Sequence, residues 1–358
     1  MRNLESELAT AAEEIASGKK DNIAKAIGSQ LVNLQTIRNQ LSENQAYIQS
    51  VNVFNQRIDL IDASLADIEE AVNSLVGVAA INAASPLDSA STVQLIATNV
   101  VDRLTTALNV EVGGRYLFGG AEVSGPPVQD RLVGNGGGIS PNDVVGEVIT
   151  DTAAFPSVDG LGDLTIPGSL AESTALLERF DDVFQGANSI AGPPIEDYSF
   201  ENTFFNGEIG GTLIDIRLPN NSVQREENDL LIQGLRDIMQ AAYILSAVDL
   251  EEITDDDAYV QLMTGDDIAR EGALDLLASG LADIQRVRAN VGLRFQQVRA
   301  SEEATLAQNA LFNNQIVDLE NADPFETQTR FLNIEKQLEA SYAASSRVLS
   351  LSLVNFIR

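Results

Sequence analysis

The sequence contains neither cysteine nor histidine among its 358 residues. Without cysteine, disulfides and thiolate metal sites are excluded. Without histidine, Ser-His-Asp and Cys-His catalytic arrangements and histidine-based zinc sites are excluded as well. Paired carboxylates remain, and they are densest at Asp255, Asp256 and Asp257 and at Asp266 and Asp267. No apolar neighbours are present to raise a carboxyl pKa. We therefore interpret these aspartates as loop and capping residues, and predict no enzyme, no cofactor and no metal site.

Positive charge is also scarce. The chain has four lysines (Lys19, Lys20, Lys25 and Lys336) and a net charge of −31 at pH 7. Contacts to phosphates require clustered lysine and arginine, so the composition argues against nucleic acid as a partner. The sequence has no run of about 18 apolar residues, so we predict no membrane span. The first twelve residues have no apolar core, so we expect no cleavable secretory signal.

A seven-residue hydrophobic period is present near both ends of the chain. The two sets of residues that follow it are Ile58, Ile61, Leu65, Ile68 and Val72, and Leu281, Ile284, Val291, Phe295 and Val298. Spacings of three and four place each set on a narrow stripe of a helix, which a partner helix buries. We predict that the two stripes face each other in an elongated antiparallel coiled-coil rod. Upstream, the same helical stripe, the seam buried by the partner helix, has two polar positions, Arg38 and Gln45. Between Ile48 and Ile58 the spacing is ten residues rather than eleven, which predicts a local overwinding of the coiled coil.

The middle of the chain has a different composition. Residues 119–225 hold 16 of the 26 glycines and eight of the ten prolines. The alternation over residues 212–218 predicts a strand, residues 163–166 suggest another, and residues 176–184 suggest a short helix. The glycine run at residues 134–138 is not followed by Gly-Lys-Ser/Thr, so we interpret it as a loop rather than a phosphate cradle. The predicted fold class is mainly α with an inserted β-rich domain.

Breaks in the helical pattern predict the domain organisation. They fall at residues 17–22, 85–88 and 321–324, and the long C-terminal helix is predicted to begin at Asp266 and Asp267. The expected parts are a terminal helical region (1–25 and 320–358), a helical rod (26–120 and 226–319) and the β-rich insertion (121–225).

Three stretches of the sequence resemble the bacterial flagellin and flagellar hook-associated protein family. Residues 14–20 read EIASGKK, similar to the family's E-(L/I)-S-(S/T)-G-(K/R) stretch. Residues 111–120 read EVGGRYLFGG and are followed by GPPV, similar to a glycine-framed R-Y-L-F signature. Residues 341–356 resemble the family's S-Y to L-S-L-x-N-F ending. The residues of the family-like turn are Gly113, Gly114, Arg115, Tyr116, Phe118 and Gly119, which we interpret as a tight turn rather than a ligand loop.

This resemblance implies an extracellular structural subunit of the flagellum, secreted through the flagellar type III export apparatus. Its implied partners are itself, other axial proteins such as hook-associated protein and flagellin, and an export chaperone on the C-terminal helix. The implied assembly residues at the C-terminus are Leu349, Leu351, Leu353 and Phe356. Family members carry a further stretch upstream of Leu4, so the N-terminal part of the terminal region is expected to be truncated here.

The resemblance leaves several functions open. Within the family, the turn and the small proline-rich insertion look most like the proteins at the junction between hook and filament, and filament flagellin is the second choice. A secreted binding module acting through the central insertion is an alternative from another class. That module would need an exposed aromatic platform, and its candidate residues are Tyr198, Phe200, Phe204 and Phe205.

Overall fold

The computed structural model describes residues 2–84, 90–120, 125–134, 139–150, 161–186, 198–266 and 270–356, and within these it is mostly helical. The helices are α1 (Arg2–Ser17), α2 (Ile23–Ile27), α3 (Leu31–Ala84), α4 (Ala90–Leu108), α5 (Pro141–Thr150), α6 (Leu170–Phe184), α7 (Phe200–Thr203), α8 (Asp229–Ala247), α9 (Asp256–Thr264), α10 (Ala273–Glu320) and α11 (Pro324–Phe356). A single 3-10 turn, Gly28–Gln30, precedes α3.

Three antiparallel hairpins make up the described β-structure. Their strands are β1 (Glu111–Val112) with β2 (Arg115–Tyr116), β3 (Thr212–Arg217) with β4 (Val223–Glu227), and β5 (Gly265–Asp266) with β6 (Arg270–Glu271). The β3–β4 pair aligns Asp215 with Arg225 and has a register irregularity between Thr212 and Ile214. The strand predicted at residues 212–218 is therefore present, whereas residues 163–166 form no strand.

The chain divides into two compact units. The first comprises residues 1–49 and 300–358, and the second comprises residues 50–299. Helices α3 and α10 each contribute to both units. Residues 121–225 are not a unit of their own in this division, since they fall within the second unit together with the flanking helical segments.

The first unit pairs the two terminal helices. Tyr342 donates its hydroxyl hydrogen bond to Glu5 at 2.8 Å, and Arg330 forms an ion pair with Glu14. The residue nearer the start of α1, Glu5, contacts the residue further along α11, Tyr342, so the two helices are antiparallel. The predicted break after Ser17 is present, and Gly18 adopts a positive φ of 69° that a residue with a Cβ rarely takes.

The second unit is built around α8. Helix α4 and helix α6 both pack on α8, and α9 packs on α6. Arg103 of α4 pairs with Asp67 of α3 and lies 3.9 Å from Glu70, so α4 folds back along α3. The predicted break at residues 85–88 lies outside the described residues. The core of the unit includes Leu65, Leu235 and Ile238, each at most 1% exposed.

The central segment corrects one prediction. The described residues between 121 and 225 contain helices α5, α6 and α7 but only the single β3–β4 hairpin, so a β-rich insertion is not what the structure shows. Glycine and proline are common in turns and irregular backbone, whichever elements these connect. Their abundance therefore did not identify the secondary structure between the turns. A second correction concerns the C-terminal long helix, which begins at Ala273 after a hairpin that includes Asp266; Asp267 lies outside the described residues.

Candidate assembly surfaces

The predicted seam residues of the second unit are internal packing residues. Ile58, Ile61, Leu65, Ile68 and Val72 on α3 are at most 4% exposed. On α10, the residues Ile284, Val291 and Val298 are at most 1% exposed, whereas Leu281 and Phe295 are only partly buried. The buried side chains among these therefore stabilise the subunit itself.

Polar contacts show how α3 and α10 pair in this unit. The guanidinium of Arg288 donates to Asp62 at 2.7 Å and to Glu69 at 2.9 Å. The amide of Gln285 also donates to Glu69, at 3.0 Å. Arg288 follows Gln285 on α10, whereas its partner Asp62 precedes Glu69 on α3, so the two helices are antiparallel. This agrees with the predicted pairing of the two sequence stripes.

The seam of the first unit is unexpectedly polar. Asn44 is 8% exposed and donates to Asn309 at 2.8 Å, and Asn309 is itself 9% exposed. Because an unpaired buried amide is costly, this pair favours one alignment of the two helices. The predicted polar seam position Gln45 is exposed, so the seam passes through Asn44 instead. Arg38 is also exposed, but it reaches across the unit to Glu320.

The family-like stretch at residues 14–20 joins the start of the unit to the end of α10. The amide of Lys20 donates to the carbonyl of Glu320 at 2.9 Å, and the amide of Ala322 donates to the carbonyl of Gly18 at 3.0 Å. The Lys20 ammonium also donates to the carbonyl of Leu319 at 2.9 Å. This stretch therefore joins the helical break after α1 to the helical break after α10 by backbone hydrogen bonds. The resemblance to the family alone did not reveal this role.

Several large apolar side chains of the first unit face solvent. Phe325 is 80% exposed, Val32 is 75% exposed and Val348 is 65% exposed. Such side chains indicate a contact surface where they form a continuous patch, whereas single exposed ones are common on soluble proteins. The predicted assembly residues Leu349, Leu351, Leu353 and Phe356 belong to α11 by their backbone, but they lie outside the residues whose side chains the structure describes.

The glycine-framed motif forms a tight hairpin turn. Gly113 and Gly114 have φ values of 61° and 82°, the two positive values that a two-residue hairpin loop requires. Arg115 is exposed, Tyr116 is partly buried, and Phe118 is 1% exposed. The carbonyl of Gly119, which is buried, accepts a hydrogen bond from the amide of Glu208 at 3.1 Å.

Asn109 is a structural residue of this motif that sequence reasoning did not single out. Its side-chain amide donates to the carbonyl of Val128 at 2.8 Å, and its side-chain oxygen accepts from the amide of Val128 at 2.9 Å. The side chain thus imitates a paired strand and holds the chain on both sides of the turn. An asparagine just after a helix is a signal for such backbone mimicry.

The aromatic residues considered as a binding platform are buried. Tyr198 is 6% exposed, and Phe200, Phe204 and Phe205 are at most 2% exposed. The Phe204 ring lies 5.3 Å from the Tyr243 ring of α8, centroid to centroid. These side chains form a core with α8, so the structure provides no exposed aromatic platform among them.

The acidic residues of the second unit have structural roles. Asp255 caps α9 by accepting a hydrogen bond from the amide of Ala258 at 2.8 Å. Burial raises the pKa of Asp237, and hydrogen bonds from Gln185 and Gln233 partly offset this effect. Among the described residues, no group of three or more acidic side chains is arranged to hold a metal ion, and no helix is long and apolar enough to cross a membrane.

These features define a class of helical proteins whose two sequence ends pair with each other. Residues 274–357 match the family model of the bacterial flagellin C-terminal helical region. The match spans most of α10 and all of α11, and this part of the chain is therefore similar to the C-terminal helical region of bacterial flagellin. Because flagellin is a structural and non-enzymatic protein, the match also supports the prediction that this chain is not an enzyme. The comparison with curated proteins found no match.

Proposed function

We propose that this protein is a structural subunit of the bacterial flagellum that assembles helically at the junction between hook and filament, as FlgL-type proteins do. The observation that carries the proposal is the match of residues 274–357 to the flagellin C-terminal helical region. The antiparallel pairing of α1 with α11 supports it, since both helices also bear exposed apolar side chains such as Ile15 and Phe325. Burying such side chains against neighbouring subunits stabilises an assembly.

The choice of the junction rests on the glycine-framed turn and the small segment that follows it. The turn leads directly into Gly125-Pro126-Pro127, and the described part of the following segment holds only three helices and one hairpin. A small outer segment suits a subunit that occurs in a short ring and carries no extended outer surface. The proposed partners are copies of this chain, hook-associated protein and flagellin.

Export completes the proposal. The subunit is secreted unfolded through the flagellar type III apparatus, and an export chaperone covers the C-terminal helix until assembly. The exposure of Val348 and Tyr342 on the described part of α11 supports a partner there, because burying exposed apolar and aromatic surface favours association in water.

Filament flagellin is the second candidate. The observation that favours it is the family model itself, which describes flagellin rather than a hook-associated protein. A flagellin fills the whole filament, whereas a junction protein occupies one short zone of it. Position along the organelle therefore separates the two functions.

Immunogold electron microscopy of isolated flagella tests the proposal. Antibody against this chain is expected to label one site per flagellum, where the hook meets the filament. A strain lacking the gene is expected to make hooks without attached filaments and to release filament protein into the medium. Gold along the whole filament would establish the second candidate, and the absence of gold from flagella would overturn both.

A further inference from the structure

An arginine-lined groove lies between α3 and β3 in the second unit. The groove has a volume of about 280 Å³. Its walls are the residues Ser50, Val53, Phe54, Arg57, Ile58 and Ile61 of α3 and the whole stretch from Leu213 to Arg217 of β3. The lining is mostly apolar, and Arg57 and Arg217 are its positively charged groups. Its one carboxylate, Asp215, forms an ion pair with Arg225 of β4 at 3.0 Å, so it does not neutralise these two arginines. Val53, at 59% exposed, leaves part of the apolar wall open to solvent.

The arginines at this groove lack the acidic partners that most other arginines of the chain have. Ten described arginines form ion pairs with aspartate or glutamate, but Arg57, Arg115 and Arg217 form none with any described residue. Partial burial lowers the pKa of Arg57, and repulsion by the nearby Arg115 lowers it further. The fold thus holds like charges together without neutralising them, and an incoming carboxylate would relieve this repulsion.

The charge of the whole chain makes this groove exceptional. With a net charge of −31, two copies repel each other over most of their surfaces. A local cluster of unpaired arginines is a place where a second copy can approach with its acidic side chains. Electrostatic complementarity of this kind determines which patches meet and in which register.

The same chain carries an acidic segment of matching character. Glu251 and Glu252, in the turn after α8, and Asp256 and Asp257, at the start of α9, are all exposed, and none of the four forms an ion pair with a described residue. Val260, one turn further along α9, is 54% exposed. An acidic segment next to an exposed apolar side chain complements an apolar groove bordered by arginines.

We propose that the arginine-lined groove receives the acidic segment at residues 251–260 of a second copy of this chain. This inference rests on the proposed function, because it assigns one contact within the assembly. The groove and the acidic segment are different surfaces, so the contact is heterologous and leaves a free groove at one end and a free segment at the other. Such contacts repeat into rings or open helical assemblies rather than closing as dimers.

A peptide of residues 249–261 tests the groove on the full-length chain. Fluorescence anisotropy is expected to show saturable binding that weakens as salt rises from about 0.05 to 0.5 M, because screening reduces attraction between exposed charges. The variant Arg57→Glu with Arg217→Glu is expected to raise the dissociation constant at least about tenfold. A peptide with glutamine and asparagine in place of its acidic residues is expected not to bind.

The matched control is the variant Arg286→Glu with Arg299→Glu. It changes the net charge by the same amount at two exposed arginines of α10, outside the groove. Circular dichroism checks that both variants keep their helices. An equal loss of peptide binding in the control would show that only overall charge matters, and this would overturn the proposal, as would the absence of saturable binding to the unaltered chain.

Full-length variants provide a second measurement. The groove variant and the variant Glu251→Gln with Glu252→Gln each retain one complementary surface, so an equimolar mixture is expected to form 1:1 complexes in sedimentation velocity that neither variant forms alone. No complex in the mixture would count against the groove. Immunogold labelling of flagella without peptide binding would remove this inference and leave the proposed function standing, whereas peptide binding without labelling would contradict the proposed function.

Discussion

Removal of the Arg179 guanidinium is expected to destabilise the second unit strongly. Arg179 lies on α6 and is 2% exposed. It donates to the carbonyls of Val148 at 3.1 Å, Ile149 at 3.2 Å and Gly162 at 3.1 Å. Val148 and Ile149 belong to the last turn of α5, where carbonyls have no partner within the helix. A single buried cation thus satisfies the C-terminal end of α5 and opposes the negative end of its dipole.

The magnitude follows from what Arg179→Met leaves behind. The buried carbonyls of Val148 and Ile149 and the part-buried carbonyl of Gly162 lose a charged donor, and a buried acceptor left without its partner costs about 1–3 kcal/mol. The control is Arg225→Met, which removes an exposed arginine paired with Asp215 at 3.0 Å. An exposed pair of this kind contributes about 0–1 kcal/mol.

Urea unfolding followed by circular dichroism measures both variants. Amide exchange at Leu164 provides a local reading, because this amide donates to the carbonyl of Ile149 at 2.9 Å. Arg179→Met is expected to lower the midpoint well beyond the control and to speed exchange at Leu164. A loss below about 1 kcal/mol, or one no larger than that of the control, would show that the carbonyls find other partners, and the reasoning would fail.

Three further predictions address pH, the central segment and the C-terminus. Burial raises the folded-state pKa of Asp237, so this carboxyl adds stability at pH values below its ordinary value of 3.8, and the contribution is lost as pH rises through the raised pKa. Asp237→Asn is expected to flatten this decline of the unfolding free energy, measured by urea unfolding between pH 3.5 and 8. An unchanged dependence of the unfolding free energy on pH would contradict this prediction. Replacing residues 121–225 by a short linker is expected to weaken the second unit, since Phe204 packs on Tyr243; unchanged thermal unfolding would show that the segment is separable. Leu353→Asp or Phe356→Asp is expected to block incorporation into flagella without lowering helical circular dichroism, and normal incorporation would rule out the predicted assembly role.

The long helices were predictable because their pattern is local. Residues such as Leu65 and Ile284 recur every three or four positions, and a helix converts this spacing directly into one face. The pattern failed where the buried layer is polar. Asn44 carries no hydrophobic signal, so the sequence pattern selected its neighbour Gln45 instead, and only the partner Asn309 explains the burial.

The central segment was less predictable because its contacts are tertiary. Arg179 is buried where it meets carbonyls of α5 and of Gly162, and no spacing in the sequence indicates this contact. Phe204 packs on Tyr243, and this contact depends on the position of α8, which the local sequence around Phe204 does not reveal. Composition indicated irregular backbone there but gave no means of distinguishing short helices from strands.

The pairing of α1 with α11 has a consequence for the time course of folding. Glu5 and Tyr342 are 337 residues apart in the chain, whereas Asp67 and Arg103 are 36 residues apart. Closing the longer loop costs about 2 kcal/mol more chain entropy unless the intervening residues fold first. In a chain that is synthesised from its N-terminus, α1 is made before α11, so this pairing forms only after α11 has appeared. Helix α1 thus waits through the synthesis of residues 50–299 before α11 can stabilise it, and the first unit is completed after the second unit has been made.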